Sequence, residues 1–151
     1  MIAAAAGALW ANGPGEERPA KPLLSSKTIT EAELDLPNQP FVFDGTVRGQ
    51  MVQYFHGRTP GTRSMVVGQF RLAPGNEPHP LHAHADDEIL IVTSGEGEVV
   101  CAGKTTRVTA GSVMYAAREV THGIRNTGAT PLAFYFIKWV EPPPRTGGSG
   151  R

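Results

Sequence analysis

The stretch from His82 to Gly95, His-Ala-His-Ala-Asp-Asp-Glu-Ile-Leu-Ile-Val-Thr-Ser-Gly, constrains this chain more than any other. On an extended backbone side chains alternate, so His82 and His84 turn to one face. Glu88 stands an even number of residues from both, and an unbroken or gently bent strand carries it to the same face. Ile89-Leu90-Ile91-Val92 is an apolar run of strand length that stops at Ser94-Gly95. Leu90 and Val92 share Glu88's parity and are expected to line the interior. Two imidazoles and a carboxylate on one wall suit a divalent metal of borderline character. A second alternating set, His122, Ile124 and Asn126, offers a third imidazole. Barrel closure can bring two walls of this kind together round a small cavity, and the reading is a metal centre inside a β-barrel, made of His82, His84, Glu88 and His122.

The rest of the chain reads as strands and turns. Thr28 to Leu34 predicts a short helical turn, with Thr28 or Thr30 as cap and Glu31 and Glu33 at its positive end; Asp35-Leu-Pro-Asn stops it. Strands are expected at Phe41–Phe43, Gln50–His56, Met65–Leu72, the His82 segment, Glu98–Ala102, Thr105–Thr109, Ser112–Ala116 and His122–Asn126. Turns fall at Asp44-Gly45, Gly57 to Gly61 and Ala102-Gly103. Leu132 to Val140 is the longest apolar strand and is expected to close the sheet, leaving an apolar edge that needs covering. Strands at this spacing, in a chain with 18 glycines and 13 prolines, predict an all-β sandwich or barrel. The organisation expected is an Ala-rich leader and linker over 1–24, one β domain over 25–141 and a flexible tail over 142–151. The leader resembles part of a signal peptide but lacks its basic start, so cytoplasmic and exported locations both stay open.

Composition removes several functions. The 14 basic and 14 acidic residues cancel, and no basic cluster is present, which argues against nucleic acid or an anionic membrane as the main partner. No segment is long and apolar enough for a membrane span. The single cysteine, Cys101, excludes an intrachain disulfide framework and reads as a small hydrophobe in its apolar run.

The motifs resemble those of the cupin superfamily. Its first motif is a glycine, then His-x-His, a glutamate after three or four residues and a glycine after six more; here Gly75, His82, His84, Glu88 and Gly95 stand in that order. Its second motif has a glycine, a proline, a glycine, a histidine and an asparagine. This chain has Gly111, then Ala117 in place of proline, Glu119 in place of glycine, then His122 and Asn126. The gap from Gly75 to His82 is one residue longer than the common pattern. These departures fall on turn residues and leave the ligand types intact. The resemblance covers about residues 40 to 141. It implies a double-stranded β-helix, a jelly-roll-like barrel with a short N-terminal helical turn and disordered ends. It also implies one divalent transition metal (Fe, Mn, Ni, Co or Zn) and a homodimer of the kind small cupins form.

Function is read from the centre. Three neutral imidazoles, one carboxylate and a divalent cation carry about one net positive charge, which favours an anionic or enolisable oxygen ligand on a small molecule. No acid–base pair separate from the ligands is visible in the sequence, which points to a metal-dependent dioxygenase with Glu88 as ligand and catalytic base. The alternatives are a cupin isomerase or lyase, and a non-catalytic cupin that holds a carbohydrate or organic acid. His79, between two prolines, reads as a loop residue, and His56 as a strand end. Asp86 and Asp87 are expected at the surface or in a turn, with a bond from one of them to a ligand histidine. Tyr54, Arg71, Tyr115 and Arg125 are within reach of a pocket only if parity allows. Phe134 and Phe136 alternate with Tyr135, Ile137 and Trp139, a pattern of core against interface.

Overall fold

The computed structural model describes residues 21–142. The leader over residues 1–20 and the tail over 143–151, with their expected disorder, lie outside the described residues. Among the described residues nine strands form two sheets. The first six-stranded sheet takes, in chain order, β1 (Pro40–Phe43), β2 (Thr46–Thr59), β3 (Thr62–Leu72), β4 (Asp87–Ser94), β7 (Val113–Ala116) and β9 (Leu132–Val140); the smaller takes β5 (Glu96–Cys101), β6 (Lys104–Thr109) and β8 (His122–Asn126). The spatial orders are β1-β2-β3-β9-β4-β7 and β6-β5-β8. The result is the expected all-β jelly roll, with the two sheets left unclosed.

The helical turn forms at α1 (Glu31–Leu34), followed by a 3-10 turn at Leu36–Asn38. Thr30 is the cap, and its backbone N–H donates to the Glu33 carboxylate at 2.6 Å, which satisfies one of the amides a helix start leaves open. Segment Pro22 to Leu24, placed by its composition in a linker, instead bonds to the edge of β2: Arg58 N–H donates to the Pro22 carbonyl and Leu24 N–H to the Arg58 carbonyl, each at 2.9 Å.

Three strand expectations are corrected. β2 and β3 run on through the glycine-rich stretch and turn only at Pro60-Gly61. The His82 segment is not a strand: β4 begins at Asp87, and His82 makes only an isolated bridge to His122. The third correction is β9, which lies between β3 and β4 and is no edge. With a neighbour on each side, its backbone N–H and C=O groups are paired along both edges.

The core lies between the sheets. Phe70, Leu90, Met114, Phe134 and Phe136 reach it from the larger sheet and Val99, Val108 and Ile124 from the smaller one. Phe70 stacks on Phe134 at 5.3 Å and meets Phe41 edge-on at 4.9 Å, offset and T-shaped arrangements that suit the aromatic quadrupole. Gly68 is required here: a Cβ would stand 2.2 Å from the Phe136 ring.

Candidate metal centre

One end of the barrel is left to polar side chains. His82 and His122 exchange backbone hydrogen bonds, His122 N–H to the His82 carbonyl at 2.9 Å and the reverse at 3.2 Å; Glu119 N–H then donates to the His84 carbonyl at 2.8 Å. These bonds clamp the His-Ala-His segment onto the start of β8. The ring centroids of His82, His84 and His122 form a near-equilateral triangle, with sides of 5.0, 4.9 and 4.9 Å. One nitrogen from each ring lies within 4.8 Å of the others. His82 and His84 share a face as alternation predicted, although the backbone bends between His84 and β4.

Glu88 comes from β4, between Ala116 of β7 and Lys138 of β9. It is 4% exposed. Its Oε2 lies 2.8 Å from His84 Nε2 and 2.9 Å from His122 Nε2. The opposite ring nitrogens face backbone carbonyls: His84 Nδ1 is 3.1 Å from the Asp86 oxygen and His122 Nδ1 is 2.8 Å from the Val120 oxygen. A carbonyl only accepts, so Nδ1 carries the proton in both rings. In the neutral imidazoles Nε2 is then a bare acceptor aimed at a carboxylate oxygen. Such a group of acceptors is stable only around a cation, whether a proton or a metal ion. Around an ion about 2.1 Å from each donor, neighbouring donors in octahedral geometry stand roughly 3.0 Å apart. The separations at Glu88 fit that spacing, so the residues present suit a divalent metal.

The electrostatics agree. Burial disfavours the Glu88 carboxylate, but the bonds to His122 and His84 and the Lys138 charge outweigh it and hold the group down at about 2. Burial also disfavours a charged His122, yet the Glu88 and Val120 acceptors raise it above the ordinary histidine value. His82 is pushed down to about 3, first by burial and then by the neighbouring histidines. It therefore presents a neutral ring, the form a metal takes.

Phe70, Leu90, Ile124, Phe134 and Phe136 line the cavity beside these groups, together with His79 and Pro78. The cavity is small, about 20 Å³, on the scale of a water molecule.

Two residues near the centre were missed in the sequence. His79 was read as a loop residue; it lines the cavity, and its ring centroid is 4.1 Å from that of His82. Lys138 is buried, opposite Glu88 on β9, with Nζ 3.8 Å from Asp86 Oδ2. The parity that sends Phe134 and Phe136 inward sends Lys138 inward too, and was the signal available.

Other residues fall elsewhere. Arg71 pairs with Glu31 and Tyr54 bonds to Gln69, both on the outer side of the sheet, while Tyr115, Arg125 and His56 are exposed. Asp87 is buried rather than at the surface, held by the Arg118 side chain at 2.8 Å and backbone at 3.1 Å. Cys101 packs only partly against the core.

The family described as Cupin domain matches this chain over residues 68–138. No curated protein matches it. Among solved structures, an RmlC-like cupin from Shewanella frigidimarina NCIMB 400 superposes with a TM-score of 0.59 at 17% identity, over 80% of this chain and 95% of that one. A predicted oxalate decarboxylase from Thermotoga maritima gives 0.59 at 22% identity, over 76% and 99%. KdgF from Halomonas sp. gives 0.59 at 19% identity, over 76% and 94%. Likeness at these identities speaks for the fold.

Proposed function

Because the Cupin domain family matches residues 68–138 and the fold is that of cupins, we propose that His82, His84, Glu88 and His122 hold one divalent transition metal, and that the protein is a dioxygenase of a small anionic or enolisable substrate. The observation that carries the metal assignment is the Glu88 oxygen set 2.8 and 2.9 Å from two imidazole nitrogens whose protons face the other way. A divalent metal at this position supplies Lewis-acid polarisation of a substrate oxygen.

The protein's own residues do the remaining work. Phe70, Phe134 and Phe136 give the cavity an apolar wall, and weak screening beside that wall strengthens any contact between the centre and an oxyanion. Glu88, kept ionised and a weak base at about 2, would take the proton only of a substrate hydroxyl made acidic by the bound ion.

His79 favours a second reading, an isomerase or lyase, because it puts a histidine that is none of the four proposed ligands beside the cavity. Oxygen consumption decides between the two. Metal-loaded protein is offered small hydroxy acids, diketones, catechols and flavonols, in air and without oxygen. The dioxygenase reading expects oxygen uptake matched to substrate loss, and much slower turnover in Glu88→Gln with metal content less affected. Turnover that proceeds unchanged without oxygen assigns an isomerase or lyase. Tight binding with no turnover assigns a binding protein.

A further inference from the structure

Arg48 is the extra residue of a β-bulge. β1 and β2 pair Phe41 with Gly49 and Val42 with Val47, so Arg48 has no partner in β1. Bulges re-aim a side chain and recur beside functional sites. Gly49 builds this one into the sequence: it sits at φ 153°, and a Cβ there would collide with the Arg71 carbonyl oxygen. The redirected guanidinium lies over the Phe43 ring, with Cζ 5.9 Å from the centroid. Phe43 in turn meets His79 edge-on at 6.3 Å, and His79 meets His82 and lines the cavity. Arg48 therefore stands on the His79 side of the metal centre, beyond two rings. Its Nε is shielded from solvent and has no hydrogen-bond partner among the described residues. None of the ion pairs among those residues involves it, whereas Arg71 and Arg118 each hold a carboxylate.

We infer that Arg48 is a carboxylate-binding subsite at the rim of the centre, and that the substrate is an organic acid with its carboxylate on Arg48 and its reacting oxygen at the other end. The reacting end rests on the metal reading above; the contact with Arg48 does not. Three features select such a ligand. The first is the missing anion. A shielded guanidinium N–H without an acceptor loses its hydration uncompensated, and a carboxylate supplies the acceptor. The second is preorganisation. The Phe43 ring holds the guanidinium plane in place, so little freedom is lost when an anion binds. One fork of donors matches a carboxylate, while a phosphate dianion calls for more. The third is space. The cavity holds about 20 Å³, the scale of one water. A substrate oxygen that enters it leaves the rest of its molecule at the rim, where the Pro78, His79 and Phe43 rings offer a surface leading to Arg48.

Calorimetric titration of the full Mn²⁺-loaded chain tests this. The probes are unbranched dicarboxylates from glutarate to suberate and monocarboxylates of the same lengths. At least one dicarboxylate is expected to bind the wild type about tenfold or more tighter than the monocarboxylate of its length. Arg48→Gln is expected to abolish that preference, with monocarboxylate affinity, bound metal and circular dichroism spectrum unchanged. Arg48→Met, whose apolar stem still covers Phe43, serves in its place if Arg48→Gln does not fold. Absence of the preference in the metal-loaded wild type overturns the inference. So does a preference that survives in the folded variant. If the chain takes up no metal, the metal reading fails, and hexanoate binding to the metal-free protein judges Arg48 alone. Binding about tenfold weaker in the variant then supports the subsite, and equal binding overturns it.

Discussion

Glu88 Oε2 lies 2.9 Å from His122 Nε2, although 34 residues separate the two in the chain. The contact joins the two sheets at one end of the barrel. It exists only once β4 and β8 are in place, so a metal bound there is coupled to folding.

Metal removal is therefore expected to destabilise the protein. An ion that binds only the folded state contributes about 2.7 kcal/mol at a hundredfold excess over Kd. A chelator should lower the melting temperature by several degrees, and Mn²⁺ or Fe²⁺ should restore it. By elemental analysis, His82→Ala and His122→Ala should lose most bound metal. His79→Ala should keep it, because His79 packs against the His82 ring and is none of the four proposed ligands. Equal metal content in all three variants contradicts the assignment.

In the metal-free protein, acid should unfold the chain in two overlapping steps. His82 is pushed down to about 3, so the unfolded state binds more protons between the ordinary histidine value and about pH 3, and stability falls as pH drops through that range. Glu88, held down at about 2, contributes stability above the ordinary carboxylate value that is lost as pH falls towards 2. His122 acts in the opposite sense. Its raised value adds stability at acidic pH, which disappears as pH rises past the ordinary histidine value. Urea midpoints of chelator-treated protein from pH 3 to 8 check this. Against wild type, His82→Gln should flatten the fall below pH 6.

Asn126 should prove structural. It is fully buried; its side-chain amide donates to the Leu72 and Thr130 carbonyls at 2.9 and 2.8 Å, and its Oδ1 accepts from Gly128 N–H at 2.9 Å. Asn126→Ala leaves the buried Leu72 carbonyl without a partner, at a cost of roughly 1–3 kcal/mol, and removes two part-buried bonds to Thr130 and Gly128. A loss of about 3 kcal/mol in urea unfolding is expected, with metal content per folded molecule retained.

Ala102 offers a gain. With Gly103 it makes the β5–β6 hairpin turn, and it sits at φ 51°, a left-handed conformation that Ala adopts at a cost. Ala102→Asn should stabilise by about 0.5–1 kcal/mol, raising the melting temperature by about 2–3 °C in calorimetry. An unchanged or lower value refutes the turn argument.

The sequence by itself determined the strand content, most turn positions and the family resemblance, because short-range rules govern them. Alternation shows in Leu90 and Val92 or Phe134 and Phe136, and left-handed turns show in Asp44-Gly45 and Ala102-Gly103. It also determined that His82 and His84 share a face, since alternation spans one residue. Tertiary structure decided what depends on which strands become neighbours. It placed β9 inside the sheet, where an apolar strand gains partners on both sides, and so set Lys138 opposite Glu88. It turned the Pro78-His79-Pro80 loop so that His79 lies against His82. It also put Glu119 at φ 62°, in a left-handed turn where the resemblance leads one to expect glycine, with its N–H on the His84 carbonyl. The line from Arg48 through Phe43 to His79 likewise comes from three separate segments. Register across strands is set by the packing of the whole sheet, and no local window of the chain carries it.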